Sequence, residues 1–445
     1  MKKVFFSISM LLFITGNIVA QDDVYPAKAE TGAIFITNGT IHIGNGQVVN
    51  NGTIEINNGK IISVKESDAA TTPGAQVIDA KGKQVYPGLI LSVTDLGLKE
   101  IGSGVRGSND YDELGEFNPS VRSIVAYNTD SKIINTLKAQ GILLAGVAPG
   151  GGVISGSSSV VQLDAWNWED ATYKIDNAMH MDMPTLISRP VRRGGGGFPG
   201  GRNLDGGAAV DPLKLGMERI AKIKDFFRQA KAYIDEPVHK EINLKFQAVK
   251  PLFDKKQKLF IHCDQVKQML VAIDFINEFG FDVVIVGGSE SWQIASLLKQ
   301  NNIAVVLQDE HSLPATEDDD VDQPYKTPAM LQKAGVLFAM NDHNEETRYR
   351  NLAFNAGTAA AYGLGKEGAL QAITLNAARI LGVDDKTGSL EAGKDANIVI
   401  SEGDILDMKT SIVTQAFIQG RMVDLNNKQK QLYERYKGKY QLKPF

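Results

Sequence analysis

The stretch KLFIHCDQVKQMLVAIDFINEFGFDVVIVGGSE, residues 258–290, carries the strongest structural signal in this chain. Its outer parts, LFIHCD and DVVIVGG, are short apolar runs, and between them apolar residues recur every three or four positions. Short apolar runs are typical of strands covered on both faces, whereas spacing of three and four is typical of an amphipathic helix. The stretch therefore predicts two parallel strands joined by a crossover helix.

The same alternation extends over most of the chain. Further strand-like runs are GILLAGVAPG (141–150), IAVVLQDE (303–310) and GVLFAMNDH (335–343), and SWQIASLLKQNN (291–302) has the spacing of a helix. This number of strand–helix units favours a closed barrel over a doubly wound sheet. We therefore predict an α/β protein with a (β/α)8 barrel at residues 87–382.

The segments on either side of the barrel have a different pattern. Residues 33–64 contain short β-branched runs separated by Asn-Gly pairs, and Asn58-Gly59 lies between two such runs. Asn-Gly favours the positive φ angles of a type I′ hairpin turn. We expect residues 33–86 and 383–424 to pair into a small composite β-sandwich, and residues 425–445 to form a polar helical tail.

The N-terminal segment resembles an export signal. MKKVFFSISMLLFITGNIVAQDD (1–23) has two lysines, an apolar run and small residues just before Gln21. These features are typical of a secretory signal peptide at residues 1–20, cleaved near Ala20. The run is short of the roughly 20 apolar residues that a membrane span needs. We expect a periplasmic or secreted protein with no membrane span.

Composition excludes some classes of function. The formal net charge is −5 and basic residues are scattered, which argues against a nucleic-acid-binding protein. Cys263 is the single cysteine, so no intrachain disulfide can form.

Polar residues follow the apolar runs at the positions where barrel strands should end. His262 lies in one run, Asp342 and His343 end another, and Asp95 follows the first barrel strand. In a (β/α)8 barrel such residues meet at the carboxyl face, where catalytic groups lie. Imidazole and carboxylate together suit a divalent metal, and three ligands with one open position activate a bound water. A hydrogen-bonded polar cluster is the alternative interpretation.

Three sequence blocks resemble the amidohydrolase superfamily, in its imidazolonepropionase-like branch. They are YPGLI (86–90), ALQAITLNAARILGV (369–383) and TGSLEAGKDANIVI (387–400), where Asn397 occupies a position that is usually Asp. The likeness runs from about residue 33 to 424. It implies a composite sandwich around a metal-dependent barrel, with zinc as the expected metal, and hydrolysis of C–N bonds in cyclic amides or related substrates.

The family's ligand set is matched only in part. By the resemblance, His262 corresponds to a fifth-strand histidine ligand, and Asp342 to an eighth-strand aspartate that is both ligand and catalytic proton acceptor. A first-strand His-x-His motif falls on Val93 and Asp95, and a sixth-strand histidine falls on Gly287. Asp95, His262 and Asp342 are therefore the candidate metal ligands. Histidines returned to positions 93, 95 and 287 should point at this site and restore tight zinc binding.

Two glycine-rich segments are further candidates for ligand contact. Gly150 and Gly151 lie in AGVAPGGGVISGSSS (145–159), where backbone amides would cradle an anion or simply form a tight turn. With His343 and Gly287 they are the candidate substrate-binding residues. RPVRRGGGGFPGGRNLDGG (189–207) is either a flexible surface loop or a lid.

Two hypotheses for function follow from these observations. In the first, the chain is a pseudoenzyme with weak or no hydrolysis, which binds a small-molecule ligand or pairs with a metal-competent homologue or a second copy of itself. In the second, it is an active amidohydrolase with an unusual mononuclear site built on Asp95, His262 and Asp342. The first requires no cofactor, whereas the second requires the metal.

Overall fold

The computed structural model describes residues 24–66, 72–100, 110–187, 211–308, 310–342 and 348–442. These residues form two eight-stranded sheets, each with its own apolar core. The strands, numbered β1 to β16 in chain order, are Ala33–His42, Val48–Asn57, Lys60–Glu66, Gln76–Asp79, Gln84–Pro87, Leu89–Thr94, Ile142–Val147, Ile154–Gln162, Thr172–Asp182, Lys258–Cys263, Val283–Gly287, Ala304–Leu307, Phe338–Met340, Ile398–Ser401, Val413–Ile418 and Arg421–Met422.

Helices connect most of the barrel strands and cover the second sheet. The α-helices are Ser123–Ala126, Lys132–Lys138, Trp168–Ala171, Pro212–Asp235, Leu244–Ala248, Lys250–Phe253, Val266–Phe279, Ala295–Gln300, Gln323–Ala334, Leu352–Ala359, Lys366–Ala372, Leu375–Leu381 and Lys428–Tyr440. Short 3-10 helices lie at Ser291–Ile294 and Tyr349–Asn351, and a π-helical turn lies at Ala360–Leu364. Within the described ranges, no helix combines the length and the apolar composition of a membrane span.

The first sheet is built from both ends of the chain. Its order is β16-β15-β14-β5-β1-β2-β3, with β4 paired to β1, so the C-terminal strand β14 lies directly beside β5. The turn between β2 and β3 has positive φ at Asn58 (48°) and Gly59 (77°), which matches the predicted Asn-Gly hairpin. The expected pairing of the N-terminal and C-terminal segments is confirmed.

The second sheet forms the barrel, in the order β6 to β13. The predicted fold class is confirmed, with one departure from the all-parallel pattern, because β8 runs antiparallel to both β7 and β9. The connection between β7 and β8 is only residues 148–153. A connection this short can join only antiparallel neighbours, since a parallel crossover needs a dozen or more residues.

A single side chain bridges the seam between the last and first barrel strands. Asn341 is fully buried just after β13, and its Oδ1 accepts hydrogen bonds from Ser92 N (2.8 Å) and Val93 N (3.2 Å). Its Nδ2 donates to Val93 O (2.8 Å). The amide therefore replaces backbone pairing across the seam. It also brings Asp342, the next residue, and Asp95 to the same end of the barrel.

His42 at the end of β1 joins the first sheet to a helix that packs on the barrel. Its Nδ1 lies 2.7 Å from Glu367 Oε1 in the helix Lys366–Ala372, and its Nε2 lies 2.9 Å from Gln84 Oε1. The imidazole stacks on the Tyr86 ring with centroids 4.5 Å apart. Burial lowers the pKa of His42, but its hydrogen bonds to Glu367 and Gln84 and the charges of Glu367 and Asp404 outweigh burial, so the pKa lies above its ordinary value.

We expect the stabilising effect of His42 to depend on pH. Because its pKa is raised on folding, its contribution is fully present below the unfolded pKa, about 6.5, and is lost as pH rises through the folded pKa. His42→Phe keeps a ring beside Tyr86 but removes both ring nitrogens. Urea unfolding should therefore show a larger deficit for this variant at pH 5.5 than at pH 8.5. His311→Phe, at an exposed histidine bonded to Thr358, is the control. A deficit that does not change with pH would refute the expectation.

Candidate functional site

His262 lies at the barrel mouth and is paired with a second histidine. Its Nε2 is 2.9 Å from Nδ1 of His180, which belongs to the neighbouring strand β9. His262 is half-buried, whereas His180 is almost completely buried. Burial, together with the neighbouring His262, holds the pKa of His180 well below its ordinary value, so His180 is neutral.

Sequence reasoning missed His180. Its Nε2 is buried and has no hydrogen-bond partner among the described residues. Buried polar atoms without a partner are rare in native structures, so His180 is a candidate for a functional role. The sequence contained a signal for His180, because HMD (180–182) and HCD (262–264) both have the pattern His-x-Asp at the end of a strand. The polar residues earlier in β9, such as Lys174 and Asp176, concealed the strand pattern.

Asp95 is buried after β6 and is held by two neighbours. The Tyr349 hydroxyl donates a hydrogen bond to its Oδ1, and the Lys99 ammonium lies 3.9 Å from its Oδ2. Lys99 also lies 5.9 Å from the centroid of the Tyr111 ring. Burial, and then the charge of Asp95, raises the pKa of Tyr111 above its ordinary value. A lysine cation therefore lies beside Asp95, one of the candidate metal ligands.

Asp342 is buried just after β13 and accepts a hydrogen bond from a helix that follows it in the chain. Asn355 Nδ2 donates to its Oδ2 at 3.0 Å. Asn355 belongs to the helix Leu352–Ala359. His343, the neighbouring substrate-binding candidate, lies outside the described residues.

The structure does not bring Asp95, His262 and Asp342 together as a set of metal ligands. No group of three His, Cys, Asp or Glu side chains within the described ranges is arranged to hold a metal ion. Each candidate is instead bonded to a different partner from the protein, and Lys99 places a positive charge beside Asp95. A divalent metal needs ligands that converge on one point. The described donors do not fit the family's metal centre.

The backbone conformation at Gly287 disfavours a histidine, or any other residue with a Cβ, at this position. Its φ is +98°, and an ideal Cβ would lie 2.8 Å from Asp264 Oδ1 and 3.1 Å from Cys263 O. Such a φ is outside the range that residues with a Cβ adopt readily. A side chain at position 287 would therefore meet Asp264 and the end of β10, and the expectation that it points at a metal site stays a prediction.

The glycines at 150 and 151 are packed against another segment. The Gly150 amide already donates to Tyr111 O (2.9 Å), and a Cβ there would strike the Tyr111 ring. Gly151 has φ +83°, and a Cβ there would lie 3.0 Å from Glu113 O. Of the two interpretations offered for this loop, the structure supports close backbone packing rather than an open anion cradle.

A cavity of about 250 Å³ opens at the carboxyl ends of β10, β11 and β12. The first turns of the helix Gln323–Ala334 and the segment before it form its other wall. Gly287 lines it, and we call it the Gly287 cavity. It lies at the barrel mouth, beside the strand that carries His262.

Cys263 should react slowly with thiol reagents in the native state. It is buried, and burial raises the pKa of its thiol above the ordinary value, so little reactive thiolate forms. Labelling with a chromogenic disulfide should be slow in buffer and fast in denaturant. Native labelling as fast as in denaturant would contradict the burial of this face of β10.

Comparisons with known proteins agree with this geometry. The sequence model of the amidohydrolase family matches residues 301–424. Imidazolonepropionase from Mesorhizobium japonicum is 26% identical over 355 residues, which is 75% of this chain and 81% of the relative. Imidazolonepropionase from Picrophilus torridus is 30% identical over 178 residues, 38% of this chain and 43% of the relative.

Solved structures show the same fold. An amidohydrolase from Thermotoga maritima superposes with a TM-score of 0.73 at 25% identity, covering 88% of this chain and 99% of that one. An adenosine deaminase from Xanthomonas campestris with bound zinc gives a TM-score of 0.51 at 15% identity, covering 93% of this chain and 99% of that one. At that identity the second likeness concerns the fold alone.

Proposed function

Because this chain belongs to the amidohydrolase superfamily, in its imidazolonepropionase-like branch, we propose that it is an exported member that binds a small molecule at the barrel mouth and hydrolyses C–N bonds weakly or not at all. The observation that carries the proposal is the state of the candidate ligands. Val93 is apolar, Gly287 has no side chain, and Asp95 is bonded to Tyr349 and faces Lys99.

A binding role is supported by what remains at the mouth. The Gly287 cavity is lined by several polar side chains, and His262 with His180 lies on the adjoining strands. The cavity is concave, as small-molecule sites are, and most of its lining residues are polar. Function resides in such sites rather than in the fold, so a family barrel can retain binding without the family reaction.

Metal content and hydrolysis test the proposal together. The full chain is purified, dialysed against a mild chelator, reloaded with zinc, and assayed with imidazolonepropionate beside the Mesorhizobium japonicum imidazolonepropionase. We expect zinc well below one ion per chain after dialysis and no hydrolysis above background. Tight stoichiometric zinc with hydrolysis would overturn the proposal and support the alternative, an active enzyme with an unusual mononuclear site.

Export and partners stay predictions from the sequence. N-terminal sequencing of exported protein should begin at Gln21, because residues 1–20, outside the described ranges, have the features of a signal peptide. Retention of Met1 would contradict this. Pairing with a metal-competent homologue or a second copy is testable by size-exclusion chromatography.

A further inference from the structure

The last helix of the chain differs in charge from the rest of the molecule. Lys428–Tyr440, which we call the tail helix, has five basic residues and one acidic residue. The chain as a whole has 47 basic and 52 acidic residues. The match to the family's sequence model ends at residue 424, so the tail helix lies beyond the matched segment. Its surface therefore needs an explanation of its own.

The placement of the basic residues does not serve the stability of the helix. Lys437 and Lys439 lie in its last turn, where the helix dipole favours a positive charge. Lys428 and Lys430 lie in its first turn, where the same dipole disfavours them, and this turn has no acidic residue. The Lys430 ammonium donates to Leu425 O (2.9 Å) and keeps its charge. Basic residues at both ends of the helix point to a negatively charged partner.

Three tyrosines form a stripe on the tail helix. Tyr433, Tyr436 and Tyr440 are spaced by three and four residues, so they lie on one face. Their side chains are 52%, 50% and 61% exposed. The Lys437 ammonium lies 5.6 Å from the centroid of the Tyr433 ring, and the Lys439 ammonium lies 5.0 Å from that of Tyr440. The tyrosine stripe is therefore an exposed aromatic surface bordered by positive charge.

The tail helix is held at its start. Asn427 Oδ1 accepts a hydrogen bond from Lys430 N (2.9 Å), and Thr136 Oγ1 in the helix Lys132–Lys138 donates to Gln429 Oε1 (3.2 Å). No residue of the tail helix is buried. A helix of 13 residues is about 20 Å long, whereas charges are screened over about 8 Å at physiological salt. Acidic residues around its start therefore have little effect at its far end.

We propose that the tail helix lies on a negatively charged phospholipid surface, with the tyrosine stripe in the headgroup layer and the basic residues at the phosphates. Tyrosine is enriched at the membrane–water interface, and surface-bound helices combine an aromatic face with flanking lysines. A groove on another protein fits less well, because lysine is depleted at protein–protein interfaces. A second copy of this acidic chain also fits less well, because the tail helix buries nothing against the acidic body that carries it. The inference is independent of the barrel mouth.

Co-sedimentation with vesicles tests the inference. The full chain, purified from the exported fraction, is mixed with vesicles of phosphatidylcholine alone or with an equal part of phosphatidylglycerol. We expect at least about tenfold stronger partition into the negatively charged vesicles, because each basic residue near such a surface contributes about fivefold. Higher salt should remove most of the difference, since salt screens the attraction.

Charge variants test the role of the basic residues. Lys428→Gln and Lys439→Gln, at opposite ends of the tail helix, should each weaken partition by about fivefold. Lys231→Gln is the matched control, because Lys231 is a half-exposed lysine on the helix Pro212–Asp235 and its loss changes the net charge by the same amount. Its partition should equal that of the unmodified chain. Circular dichroism checks the fold of each variant.

The triple variant Tyr433→Ser, Tyr436→Ser, Tyr440→Ser tests the tyrosine stripe. It should weaken partition by at least about tenfold but keep the salt dependence, because the basic residues stay. Equal partition into both kinds of vesicle, or no partition into either, would overturn the inference. So would charge variants that weaken partition beside a triple variant that does not. A dimer in size-exclusion chromatography that the triple variant fails to form would assign the stripe to a second copy instead.

Discussion

Replacing Asn341 by leucine should lower the free energy of unfolding by about 3–5 kcal/mol, because three buried backbone groups lose their partner at once. The groups are the N–H of Ser92 and the N–H and C=O of Val93, at 2.8, 3.2 and 2.8 Å from the Asn341 amide. Leucine has a similar volume, so the loss of hydrogen bonds dominates. Urea unfolding followed by far-ultraviolet circular dichroism measures the change.

Two further variants calibrate this expectation. Asn376→Leu removes one hydrogen bond, from a half-buried amide to Phe338 O in β13, and should cost about 1 kcal/mol. Asn341→Asp keeps the acceptor for two amides but faces Val93 O with a carboxylate, so we expect an intermediate loss. An Asn341→Leu variant no less stable than Asn376→Leu would show that the seam does not depend on this side chain.

The strands were predictable because their signal is local. Continuous apolar runs such as 283–287 are buried on both faces, and their ends place polar residues at one face of the barrel. This is why the sequence alone points to His262, Asp342 and Asp95 as residues at the ends of barrel strands. Each of these inferences needed only the alternation of side chains along one strand.

Features that depend on distant contacts were not predictable. The antiparallel direction of β8 depends on a short turn that looks like other glycine-rich loops in the sequence. The bond between His180 and His262 joins residues 82 positions apart. The role of Asn341 depends on Ser92 and Val93, so the sequence pointed to its neighbour Asp342 instead. Such pairings exist only once the barrel closes.

The hydrogen bonds at the barrel mouth explain why matching the family's metal ligands to this sequence does not by itself predict a metal site. Asp95, His262 and Asp342 are all present, yet each is satisfied by a protein partner: Tyr349, His180 and Asn355 respectively. A buried carboxylate or imidazole must find a partner when no metal supplies one. Restoring a metal site would therefore require breaking these bonds as well as adding ligands.

Returning histidine to position 287 should damage the fold rather than rebuild a zinc site. We expect Gly287→Ala to cost about 2–4 kcal/mol, since a φ of +98° and contacts at 2.8 and 3.1 Å act together. Gly280→Ala is the matched control, because its φ is +69° and its only nearby atom is Lys255 Nζ at 3.9 Å. It should cost about 1 kcal/mol.

Zinc binding then distinguishes a missing ligand from a remodelled site. We expect the triple variant Val93→His, Asp95→His, Gly287→His to bind zinc no more tightly than the double variant that keeps Gly287, because the backbone at 287 directs a side chain at Asp264 and Cys263 O. Competition with a chromogenic chelator measures the affinities, and circular dichroism checks the fold. A folded triple variant with tight, stoichiometric zinc would show that only the ligands were lost. Equal, weak binding in both variants would place the obstacle in the backbone of the sixth strand.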